Sequence, residues 1–302
     1  MKILLDIKMV THCVSNLSKE IAAWSQYLDY ELITQATVDQ SLCKAWNTPK
    51  ELGRPYALMA PKNGGNTFIR FLETGTRIGY WPPVTWGWNA TEILVSDPDA
   101  LLEKLDNSPI HCFSGPDDLY DHPKAPRAIQ TLSPSGAMLY FTRIKPGGSR
   151  YGIHGAKTSV DRIFNVVLGG PSLDELQHFY SHIMGLRVGN PMMFKMTLAA
   201  QASNANPETL FPICVAPIRA RHNILELDEY PDITTMRPRE AGCIPGGMSM
   251  VSFRVKNLDE VELNLRAEPV VINSKIAPYQ NQRVAIIEGP AGEWLELIED
   301  KK

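Results

Sequence analysis

Four pairs of anchors in this 302-residue sequence stand at one common offset of 156 residues. Pro134 pairs with Pro290 and Gly136 with Gly292, inside SPSGAMLYFTRI and GPAGEWLELIED, each a Pro-x-Gly turn followed by an alternating strand. FIRFLET (68–74) pairs with ILELDEY (224–230), and Trp24 pairs with Tyr180. The last two residues belong to segments with apolar residues at helical spacing: Ile21, Trp24 and Leu28 in one, and Leu173, Leu176, Tyr180, Ile183 and Met184 in the other. A strand-like run precedes each, KMVTHCV and FNVVLG. This spacing reads as a duplication, with halves 1–148 and 149–302.

Each half repeats again internally. TEILVSDPDALLEKL (91–105) and VSFRVKNLDEVELNL (251–265) read as strand, turn and amphipathic helix, and the closing strands around Arg70, Tyr140, Glu226 and Glu296 lie 70 residues apart within each half. The unit is strand–helix–strand–strand–strand, used four times. IKPGGSRYGIHGAKTSVD, rich in Gly, Lys and Ser, reads as the linker between halves.

A 44% hydrophobic and 21% charged composition is that of an ordinary globular protein, and a net charge of −3 gives no electrostatic reason to expect nucleic acid or an anionic membrane as partner. The five cysteines are scattered without a CxxC pair, which argues against a zinc site or a dithiol motif. No run approaches the roughly 20 apolar residues of a membrane span. The opening MKILLDIKMV is interrupted by Asp6 and Lys8 and no small-residue cleavage site follows it. A soluble, cytoplasmic protein with reduced thiols is expected.

The strand–turn–helix openings, the helix ending FYSHIMGLRV and the closing P-x-G-x-x-L-E-L make the sequence resemble the vicinal oxygen chelate (VOC) superfamily. That superfamily includes glyoxalase I, type I extradiol dioxygenases, methylmalonyl-CoA epimerase and the fosfomycin and bleomycin resistance proteins. The resemblance covers almost the whole chain, and two tandem domains of this length look most like the extradiol dioxygenases. It implies an α+β fold in which four βαβββ modules form two tandem VOC domains with cupped mixed β-sheets. It specifies the reaction poorly, because the superfamily hosts several chemistries.

The resemblance also implies where a divalent metal would sit: on the concave face of each cup, held from the first and last strands of the modules. Counting seven residues back from Asn16, Asp97, Ser172 and Asn257 gives Met9, Ala90, Asn165 and Met250, and the closing strands offer Arg70, Tyr140, Glu226 and Glu296. Taken by halves, Met9, Arg70, Ala90 and Tyr140 supply neither carboxylate nor imidazole, so the N-terminal domain reads as a degenerate scaffold. Asn165, Glu226, Met250 and Glu296 keep two carboxylates but lack the histidines of a 2-His-1-carboxylate iron site. They match the Glu-rich glyoxalase I set only in part, and Met250 is a poor ligand for a hard or borderline ion. No cofactor is therefore expected; the alternative is a metal on Glu226, Glu296 and His222, which lies four residues before Glu226.

Two carboxyls in one apolar cup have another use. Burial and mutual repulsion raise their pKa values, and such a pair supplies a protonated acid beside an ionised base. Glu226 and Glu296 are the expected catalytic pair of a C-terminal cup, with Asn165, His222, Met250, Arg254 and Trp294 as substrate-binding residues. Arg254 or His222 would stabilise a developing oxyanion. The expected activity is metal-independent isomerisation or lyase chemistry on a small, largely apolar organic substrate, aromatic or carbonyl-containing. A metal-dependent VOC enzyme and a ligand-sequestering resistance protein are the alternatives. The expected partner is the small molecule, with a homodimer left open.

Other features read more plainly. His178 and His182 lie four apart on one helix face without an HExxH glutamate, so they read as helix surface. His12 falls on the helix-facing side of its strand and reads as core. His111 and His122 flank GPDDLYDHPKAP without an assignable role, and His154 lies in the linker. GYWPPVTWGWN (79–89) reads as inter-module packing, a dimer surface or an aromatic lid, and the methionines of NPMMFKM and GGMSM as core filling.

Overall fold

The computed structural model describes residues 3–65, 67–77, 80–149, 151–218, 223–261, 265–274 and 278–300. The first module contains β1 (Leu4–Val14), α1 (Leu17–Tyr27), β2 (Tyr30–Thr37), α2 (Gln40–Trp46), β3 (Pro55–Pro61) and β4 (Phe68–Glu73). The second contains β5 (Gly87–Val95), α3 (Pro98–Leu105), β6 (His111–Asp118), β7 (Arg127–Leu132) and β8 (Met138–Arg143). The third contains β9 (Val160–Gly170), α4 (Leu173–His178), β10 (Met192–Lys195), α5 (Thr197–Ala202), β11 (Leu210–Pro217) and β12 (Ile224–Glu229). The fourth contains β13 (Met248–Val255), a single 3-10 turn at Leu258–Glu260, β14 (Val270–Val271), β15 (Arg283–Glu288) and β16 (Trp294–Glu299). This is the α+β, four-module architecture that the repeats imply.

The turn after each opening strand is fixed by the same chemistry. Asn16, Asp97, Ser172 and Asn257 are extended N-cap residues whose side chains accept backbone N–H groups of the following turn. Glu73, Glu229 and Glu299 then accept the N–H of Leu17, Leu173 and Leu258, tying three closing strands to the helix or turn of their own module.

The sheets cut across the duplication. One sheet runs β14-β15-β16-β13-β1-β4-β3-β2 and joins modules one and four; the other runs β10-β11-β12-β9-β5-β8-β7-β6 and joins modules two and three. Each cup therefore takes one module from each half of the sequence, so the halves 1–148 and 149–302 do not each enclose a cup of their own. The seams are antiparallel pairings of opening strands, with Met9 opposite Ser252 on β1 and β13, and Glu92 opposite Asn165 on β5 and β9. A repeat defines the modules but not which opening strand meets which. That choice rests on side-chain packing between residues remote in sequence.

Strand alternation divides the interior. Val10, Ile69, Phe71, Ile93, Phe141, Val166, Leu227 and Phe253 enter a common core shared by both sheets and the helices. Trp88 crosses that core, and its indole N–H donates to the Trp294 carbonyl at 2.8 Å. The intervening residues line the two cups. Among the described residues no helix is long and apolar enough to cross a membrane.

Candidate active site

The cup of modules one and four is filled. Met9, Leu58, Leu72, Met250, Ile286 and Trp294 pack around Trp46, which α2 lowers into the concavity. Arg70 and Glu296 lie at its centre, both fully buried, with a guanidinium nitrogen 3.7 Å from the carboxylate. Glu296 accepts the Trp46 indole N–H at 2.8 Å, the Tyr279 hydroxyl at 2.9 Å and the Ser252 hydroxyl. Arg70 donates to the Thr11 hydroxyl at 2.8 and 3.1 Å and to the Tyr279 oxygen, and stacks on the Trp46 ring at 4.6 Å. Both charged groups are satisfied and a cation is built in. The two groups find their partners within the protein, as those of a structural ion pair do.

The cup of modules two and three differs in each respect. Its carboxyls are Glu92, Glu226 and Asp228, the last two at alternate positions of β12 and hence on one face. Glu92 accepts the Thr142 hydroxyl and, at 2.6 Å, the Asn165 side-chain amide, which also reaches Glu226 at 3.3 Å. Thr142, Glu92, Asn165 and Glu226 thus form one hydrogen-bonded row across β8, β5, β9 and β12. Asn165 is fully buried, yet its Oδ1 has no partner among the described residues, and neither has Oδ1 of Asp228, which is 3% exposed. Buried polar atoms of this kind call for a partner such as water or a ligand. Ala90, Met138 and Val167, with Phe113, Leu132, Tyr140 and Leu198 against them, form the apolar wall.

The electrostatics follow from this crowding. Burial first, and the charge of Glu92 second, push the Glu226 carboxyl up to about 8. Burial and then Glu226 push Asp228 well above the carboxylate range. Burial raises Glu92 as well, opposed by its hydrogen bonds from Thr142 and Asn165. Those bonds favour its charged form, so Glu92 is the member of the row best suited to hold a negative charge. Glu226, partly exposed, is the member a ligand can reach. Burial also holds the Tyr140 phenol far above its usual range, leaving it a neutral hydroxyl whose nearest partner is the Met138 sulfur at 4.0 Å.

The expected site residues are therefore separated. Asn165 and Glu226 meet in the second cup, while Glu296, Met250 and Trp294 belong to the first. Glu226 and Glu296 do not form a pair, because their strands belong to different sheets. Arg254 makes no ion pair with either carboxyl among the described residues: it is ion-paired with Asp6 at 2.5 Å and Asp300 at 3.3 Å. His222 lies outside the described residues. Glu92 and Asp228 are not among the expected residues, although each stands two positions along its strand, on the same face, from Ala90 or Glu226. His12 is core as expected, its ring bonded to the Thr91 hydroxyl at 2.9 Å and its pKa lowered by burial to about 3.

The positions that the superfamily uses for metal do not suit a divalent ion here. In the first cup a guanidinium occupies the centre. In the second, Ala90 offers no donor atom, Tyr140 is a neutral phenol, and the Asn165 amide turns its NH2 toward the carboxylates. No group of three His, Cys, Asp or Glu among the described residues is arranged to hold a metal ion.

No protein-family model matches the sequence, and no curated protein matches it. Solved structures do match the fold. Glyoxalase I from Zea mays is similar over 97% of this chain and 92% of its own, at a TM-score of 0.64 and 13% identity. A point variant of that enzyme aligns with the same TM-score at 12% identity, over 97% of this chain and 93% of that one. A proposed dioxygenase from Bacillus subtilis matches over 100% of this chain and 87% of its own, at 0.63 and 13%. With four βαβββ modules, two eight-stranded mixed sheets and whole-chain likeness to such proteins, the chain has the vicinal oxygen chelate superfamily fold.

Proposed function

We propose that the chain is a VOC-fold enzyme performing acid–base chemistry on a small, largely apolar organic substrate in the cup of modules two and three. The observation carrying this reading is the buried row Thr142–Glu92–Asn165–Glu226, which ends on a partly exposed carboxyl beside two unpartnered polar atoms. Glu226 is the proton-transfer group. A carboxyl titrating near 8 is a stronger base than an ordinary glutamate, and it remains partly ionised at neutral pH. Glu92 and Asn165 position it and set its proton affinity. On this reading the Tyr140 hydroxyl donates to an oxygen that gains charge as a proton leaves the neighbouring carbon. Removal by Glu226 and return to an adjacent carbon makes an isomerase; departure of a leaving group instead makes a lyase. The residues of the first cup contribute stability alone.

Deuterium wash-in from D2O at the α-carbon of small ketones and aldehydes, followed by NMR, tests this. The wild-type protein is expected to accelerate exchange of at least one such compound, and Glu226→Gln to lower that rate about a hundredfold or more. Exchange that is undiminished in Glu226→Gln would remove Glu226 from the chemistry. Tight binding without exchange would favour sequestration of the ligand.

A further inference from the structure

The two cups carry opposite charge logic. In the first, one carboxylate, Glu296, has its own cation in Arg70 at 3.7 Å. In the second, the residue at the position of Arg70 is Glu226, and three carboxyls have only neutral partners among the described residues: the Thr142 hydroxyl and the Asn165 amide. Arg237, a buried arginine of the segment that follows β12, spends its guanidinium on the carbonyls of Trp88, Gly246 and Met248. Buried carboxyls without a cation are complementary to a ligand that brings one.

The geometry points to a primary amine as the ligand, its ammonium group held between Glu226 and Asp228, two positions apart on one face of β12. Ionised, both are acceptors, one Asp228 oxygen lacks any partner among the described residues, and an ammonium is a compact group with three donors and no acceptor. Phe113, Leu132, Met138 and Leu198 form an apolar wall beside them, which suits an ammonium attached to a hydrocarbon or aromatic body better than a hydrated ion. Phe113 and Tyr140 add aromatic area to the same wall. This deepens the acid–base reading of the same cup and rests on it, since a bound ammonium beside Glu226 stabilises its ionised form and so supplies the base at neutral pH.

Isothermal titration calorimetry of the full chain with benzylamine, cyclohexylamine and butylamine tests the inference, against benzyl alcohol as neutral isostere and manganese(II) chloride as bare cation. At least one amine is expected to bind at one equivalent, and benzylamine at least about tenfold tighter than benzyl alcohol. Glu226→Gln and Asp228→Asn are each expected to weaken the amine about tenfold, with near-ultraviolet circular dichroism confirming an intact fold. Equal binding of the alcohol, amine affinity unchanged in both variants, no binding of any amine at millimolar concentration, or saturation by manganese alone would each overturn it. Amine binding without deuterium wash-in would leave this inference standing and remove the acid–base reading; exchange on amine-free ketones with no amine binding would do the reverse.

Discussion

Arg70 and Glu226 occupy the same place in the closing strands of modules one and three, 156 residues apart, one a guanidinium and the other a carboxyl group. Each pairs in register with the opening strand of its own module, Arg70 with Thr11 and Glu226 with Val167. The difference at this position accompanies a cup closed on its own ion pair in one case and, in the other, a cup whose three carboxyls have only neutral partners among the described residues.

Removing half of the closed pair is costly. Arg70→Met leaves Glu296 buried with only neutral donors, and unfolding free energy in urea is expected to fall by about 3–5 kcal/mol. A double Arg70→Met and Glu296→Met variant removes both charges and is expected to recover most of that loss, because two apolar side chains of similar volume need no compensation. Neither variant is expected to change proton exchange in the second cup. A double variant as unstable as the single one would show that hydrogen bonding to Trp46 and Tyr279, rather than the charge pair, holds this cup together.

The second cup sets the pH dependence of the reaction. With Glu226 as base, kcat/KM is expected to rise with pH through a midpoint near 8, the value to which burial and Glu92 push this carboxyl, and then to level off. The Asn165 amide opposes that shift by bonding the charged form. Asn165→Leu should therefore move the limb to higher pH while lowering the plateau. A limb that stays in place in the variant would mean that Asn165 holds the carboxyl without tuning it, and pH–rate profiles of both proteins decide the matter.

Much of the fold is legible in the chain, because repeats, cap residues and strand alternation are local signals. Pro134 and Pro290 mark equivalent turns, and Asn16, Asp97, Ser172 and Asn257 are the caps that a count from the turn needs. The pairing of modules is not local. Glu92 meets Asn165 and Met9 meets Ser252 because of packing between opening strands far apart in sequence, and every site residue inherits its cup from that choice. Glu226 and Glu296 look equivalent in sequence, yet they lie in different sheets with different partners. Glu92 and Asp228 do carry a usable signal: the residue two further along a strand shares its face, so an acid there weighs as much as one at the ligand position itself.

Stability should also respond to the raised carboxyls. Glu226 at about 8 and Glu293 at about 7 both bind protons more tightly in the folded chain than in the unfolded one, where a glutamate titrates at about 4.3. Their contribution is fully present below the unfolded value and is lost as pH rises through the folded values, so stability is expected to decline between about pH 5 and 8. Glu226→Gln removes one of the two groups, and its unfolding free energy should fall less steeply over that window. Parallel slopes for variant and wild type would mean that Glu226 titrates normally in the folded protein.

The helices inserted into the cups give a steric test. Leu42 of α2 and Leu198 of α5 stand 156 residues apart, and α2 adds Trp46 where α5 has Ala202. Trp46 fills its cup and donates to Glu296, so Trp46→Ala is expected to cost roughly 3–5 kcal/mol through the cavity and the lost hydrogen bond. Leu198 packs against Ala90, Met138 and Val167 but leaves Glu226 partly exposed. Leu198→Trp should imitate the first cup, lowering benzylamine affinity and proton exchange together by about tenfold or more while the melting temperature changes little. Calorimetry and exchange on the same preparation read both effects. Retention of full binding in Leu198→Trp would place the ligand away from α5, and with it away from the row that ends on Glu226.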